Sequence, residues 1–203
     1  MKNKLTKKTV ISLICAVFFS FSLFKSLGAL ISGNISSFLY FIYYLLFTAS
    51  FYLIFYILHT GERFKSYIPI IFSLAAIAEI CSFAARLQSD VFANAKLAVF
   101  SKLATVIVTL LILLAAVLKK YDLAVKLFVL KIIASSAFYI IIFYHDYPQS
   151  EMYLRLIFII SFALTSVSLV VAQIIEALPF IYLLKNEKAE QSNNDTADAD
   201  ESE

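Results

Sequence analysis

Apolar residues in this chain gather in long blocks, and most polar residues fall in the breaks between them. The blocks cover residues 9–30, 38–58, 67–85, 98–118, 123–143 and 154–176. Each comes close to the roughly 20 residues that a helix needs to cross the hydrocarbon core of a bilayer. A helix also satisfies its own backbone hydrogen bonds where no water can reach them. The pattern predicts an all-α integral membrane protein, a six-transmembrane-helix bundle with short loops such as ISGNISS and KKYD.

The two ends depart from this pattern. Residues 1–8 form a basic segment before the first block. A charged start followed by an apolar run has the outline of a signal peptide. The run is longer than a usual signal core and more spans follow, so it is read as a retained first helix. The last apolar stretch, residues 153–184, would measure roughly 48 Å as a helix against a core of about 30 Å. It is expected to end its crossing near Glu176, with Pro179 bending an interfacial extension. Beyond it, residues 185–203 are rich in Asp and Glu and contain no aromatic or branched aliphatic residue. Such a segment cannot bury a core, and a disordered acidic tail is expected.

Composition agrees with a membrane class: 62% of the 203 residues are hydrophobic and 15% are charged. Soluble domains lie nearer half and a quarter. The net charge of +3 conceals an asymmetry. Alternating crossings put Lys2, Lys4, Lys7, Lys8, Arg63, Lys65, Lys119, Lys120, Lys185 and Lys188 on one side and Arg86 and Lys96 on the other. Because Lys and Arg accumulate in cytoplasmic loops, both termini are expected in the cytoplasm. The size and composition suit a multi-pass protein of a bacterial plasma membrane. The implied partners are the lipid bilayer and a small solute, a proton or another protein, with no nucleic acid. Tyr40, Tyr43, Tyr44, Tyr144, Tyr147 and Tyr153 are expected at the outer interface, and Tyr56, Tyr67, Tyr121 and Tyr182 at the inner one. Cys15 and Cys81 sit at different depths, which argues against a disulfide.

Charge inside a span is costly and marks candidate chemistry. Lys25, Lys102, Arg155 and Lys126 lie near enough to a helix end for their heads to snorkel to the interface. Glu79 and Lys131 lie roughly 18 Å and 12 Å from the inner ends of their helices, close to the midplane. Ala75, Glu79, Ser82 and Arg86 recur at intervals of one helical face, which is expected to look inward. Two readings follow. Glu79 and Lys131 pair and fix helix packing, or Glu79 exchanges protons or binds a cation while Lys131 tunes it. Ser161, Thr165, Ser168, Ala172 and Glu176 form a second stripe, which lines a polar pathway or serves interhelical hydrogen bonding.

No HExxH, GxSxG, CxxC or phosphate-binding glycine loop occurs. His59 and His145 belong to opposite membrane sides, which leaves no metal ligand set. An enzyme, a metal and a cofactor are therefore not expected. The expectation is a non-enzymatic small-solute or ion transport or binding protein centred on Glu79 and Lys131. The alternative is an accessory, assembly or regulatory membrane protein whose buried charges are structural only.

Overall fold

The computed structural model describes residues 6–31, 33–60, 67–88, 96–146 and 152–200, with side chains described to residue 142 and again over 159–189. The expected positions of Arg63, Lys65, Tyr147 and Pro148, and the side chains of Tyr144, His145, Tyr153 and Arg155, lie outside the described residues.

The first helix, α1 (Lys7–Leu30), begins where Thr6 turns to extended backbone and its hydroxyl accepts the Thr9 N–H at 3.4 Å. That bond satisfies one of the unpaired donors of the first turn. Gly33, with φ of 67°, takes the left-handed conformation in the link to α2 (Ile35–Thr60). Pro69 stands in the first turn of α3 (Ile68–Leu87), where its missing N–H costs nothing. α4 (Lys96–Val117) and α5 (Tyr121–Asp146) are joined by a tight turn. There Lys120 N donates to Ala115 O at 2.8 Å and Lys119 N to Ala116 O at 3.1 Å. This is a Schellman closure, with Lys119 at φ of 56° in the position that usually holds glycine.

Among the described residues, six helices are long and apolar enough to cross a membrane. Each packs on its neighbours in sequence, α6 (Met152–Asp200) returns to α1, and α2 also meets α6. Their outward surfaces carry large apolar side chains, such as Phe21 and Phe24 on α1 and Leu164 and Val167 on α6. Inside, Phe19, Phe47, Phe51, Phe72, Phe128 and Phe180 converge from five helices, with successive ring centroids 5.0–6.4 Å apart. These edge-on and tilted pairings add specific geometry to the packing.

The last helix runs on through Pro179, and Phe180, Leu183 and Leu184 beyond it are packed in the core, where an interfacial extension was expected. Pro179 has no N–H to give to the carbonyl of Ile175. The Cys15 thiol of α1 donates to that oxygen instead, at 3.6 Å. A neighbouring side chain thus supplies the donor that the proline removes. The described backbone also stays helical to Asp200, where composition alone suggested no regular structure. Extending a helix that already exists avoids the unfavourable step of nucleating one. Lys8 Nζ donates to Asn186 Oδ1 at 2.8 Å, and Lys188 reaches Asp122 at 2.7 Å, which ties the start of this extension to α1 and α5. Both cysteines are free thiols.

Candidate functional site

On α3, alanines at 75, 76, 78 and 85 leave a buried face with little side-chain bulk, and Glu79 projects from it. Small residues of this kind let neighbouring helices approach closely. Glu79 is 4% exposed and carries two cations. Lys131 of α5 lies 3.0 Å from Oε1, as the sequence pairing anticipated, and Lys102 of α4 lies 2.8 Å from Oε2. Both carboxylate oxygens are therefore engaged by charge-assisted bonds.

Lys102 corrects the snorkelling expectation: it is 5% exposed and turned into the bundle. Its depth is shallow, but α3 and α4 run antiparallel as neighbours, and Glu79 stands about 12 Å from the far end of its own helix. Lys102 stands about 9 Å from the matching end of α4. A lysine side chain spans that small difference in level. Lys25 and Lys126 are exposed, as expected of snorkelling residues.

Aromatic faces complete the shell. Phe138 lies between Lys102 and the Arg86 guanidinium, at 5.5 Å and 5.6 Å, and Phe47 lies 5.5 Å from Lys131. Cations over ring faces recover part of the hydration they lose on burial. Ser82 is buried one turn beyond Glu79, and Arg86, further along the same face, also meets the Tyr40 ring at 5.5 Å.

A cleft of about 420 Å³ lies between α1, α2, α5 and α6. Its walls are Phe18, Phe19 and Ser22 of α1, Tyr43 and Tyr44 of α2, Tyr139 of α5, and Gln173 and Glu176 of α6. Its volume falls in the range of small-molecule sites. Tyr43 and Tyr44, expected in an interfacial belt, are half-buried and face this space. The belt pattern cannot distinguish an interfacial ring from one turned inward at the same depth.

Glu176 has no ion pair and no hydrogen bond among the described residues. A void with room for about one water, about 10 Å³, lies between it and Lys131, with Gln173 on the wall. The rest of its stripe does not follow it: Ser161 and Thr165 are half-buried, and Ser168 is exposed and bonds back to Leu164 O at 2.9 Å. None of these three lines the cleft, although Ala172 does. Of the expected stripe, Ala172 and Glu176 border the cleft, and Tyr139, which the sequence did not single out, lines it too.

Comparison with family models, characterised proteins and solved structures yields no match to this chain.

Proposed function

We propose that this chain is a multi-pass plasma-membrane protein, with both termini cytoplasmic, that handles a small solute or ion without enzymatic chemistry. Its solute contact is the cleft at Glu176. The observation that carries the reading is the contrast between two acids: both oxygens of Glu79 are held by lysines, whereas Glu176 borders a 420 Å³ cleft with no bonded partner among the described residues. A clamped carboxylate is poorly suited to exchange ligands, and an acid on a cavity wall is well suited. Glu79, Lys102 and Lys131 then act as a packing centre.

Solute access is the test. Cys15 and Ser22 both line the cleft. In Cys81→Ala protein reconstituted into liposomes, Cys15 is expected to react with methyl methanethiosulfonate, a small neutral reagent that enters from water or from lipid. So is the introduced thiol of Ser22→Cys in a background lacking Cys15. Labelling only after detergent unfolding at both positions would exclude a solute site. That outcome would favour the accessory or assembly reading, in which the buried charges are structural only.

A further inference from the structure

Resting on that reading, we infer that the cleft takes a lipophilic organic cation, and that the cation exchanges with a proton on Glu176.

Three features select the ligand class. Rings from three helices, Phe18 and Phe19, Tyr43 and Tyr44, and Tyr139, surround the space into which Glu176 opens. Phe19 lies 6.4 Å from Tyr43 and 6.3 Å from Tyr44, and the two tyrosines lie 5.0 Å apart, so they form one continuous aromatic wall. Aromatic faces with a single carboxylate recognise an ammonium or phosphonium centre and leave its apolar substituents in apolar contact. The mouth of the cleft is bordered by Ile14, Phe18 and Ile175, all well exposed on the outer surface of α1 and α6. A ligand entering there comes from the lipid phase, which selects against a strongly hydrated cation.

Charge conservation selects the exchange. The groups within electrostatic reach of Glu176 are Cys15 of α1, Tyr43 and Tyr44 of α2, Glu79 of α3, Lys102 of α4, and Lys131 and Tyr139 of α5. Lys102, Lys131 and Glu79 together leave one positive charge in the bundle. With Glu176 already ionised the sum is zero, and an arriving organic cation would raise it to one in a medium of low dielectric, which is costly. If the Glu176 carboxyl gives its proton to water as the cation arrives, the carboxylate neutralises the cation and the count is unchanged. No bond other than O–H is broken, and no other reactant is needed.

The probe is radiolabelled tetraphenylphosphonium, measured by equilibrium dialysis against the full chain in nanodiscs. Saturable binding of one probe per chain is expected, with one proton released per probe in weakly buffered solution. Below the pH at which Glu176 titrates, where the acid starts protonated and the full proton is released, affinity should rise about tenfold per pH unit. Glu176→Gln should weaken binding by about thirtyfold or more, and Tyr139→Leu should weaken it less. Glu176→Asp, which keeps the acid, should retain proton release, and this variant serves if Glu176→Gln does not elute as a folded species. Equal binding by wild type and Glu176→Gln, or binding without proton release, would overturn the inference. If Cys15 and the Ser22→Cys thiol label but the probe does not bind, the organic-cation class fails and the solute cleft stands. If neither position labels and no probe binds, both readings fail.

Discussion

Lys102 Nζ lies 2.8 Å from Glu79 Oε2, although Lys102 stands less than two turns from the start of its own helix. With Lys131 on Oε1, it makes Glu79 the common anion of two ammonium groups. Removing that anion strands two buried cations. Glu79→Ala is therefore expected to cost about 3–5 kcal/mol in unfolding from mild detergent. Combining it with Lys131→Ala should recover part of the loss, because the second change removes one stranded charge. Strict additivity in this cycle would show that the pair contributes no coupling.

The phenylalanine cluster gives a second expectation. Phe180 contacts Phe47, Phe51, Phe72 and Phe128 and is almost fully buried. Phe180→Ala opens a void between four helices and should lower stability by about 3–5 kcal/mol. Phe24→Ala, on the outward face, is the control and should change stability by less than about 0.5 kcal/mol. Comparable losses in the two variants would place Phe180 outside the packed core.

How far the sequence could carry these conclusions depends on what each residue reports. Block length and hydropathy specify that helices form and how many there are, because a crossing has a fixed length. Position along a helix is also readable, and the two charges singled out on that ground, Glu79 and Lys131, are buried and in contact. Rotation about the helix axis is not. Lys102 and Lys25 have similar snorkelling distances on paper, yet one meets an acid on α3 and the other faces outward. The inward turn of Tyr43 and Tyr44 was not legible for the same reason. In a helix apolar on every side, the 3.6-residue period carries little contrast, so the face turned inward leaves only a weak trace.

Pro179 illustrates the opposite case, a strong local signal overruled by a partner. Cys15→Ala removes the donor to the Ile175 carbonyl and should cost about 1 kcal/mol. In a Pro179→Ala background the helix supplies its own donor at that carbonyl, so the cost of Cys15→Ala should fall toward zero. The same cost in both backgrounds would mean that the thiol contributes by packing alone.

Lys119 holds the turn between α4 and α5 in the left-handed region, which a side chain with a Cβ tolerates poorly. Lys119→Gly is expected to raise stability by about 1 kcal/mol, read as an upward shift in the detergent unfolding midpoint. Lys119→Val should lower it, since β-branching makes the same conformation harder to reach. A glycine variant no more stable than wild type would show that the strain is relieved elsewhere.

The bond between Lys8 and Asn186 has a consequence for the connectivity of the chain. It brings the beginning of α1 beside a late turn of α6, so helices consecutive in the chain form a closed ring of contacts, with α2–α6 and α3–α5 contacts crossing it. A linker that reaches from the end of α6 back to the start of α1 could join the two. The polypeptide could then be opened at a different loop without exchanging any helix–helix contact. In this architecture the starting point of the chain is separable from the arrangement it builds.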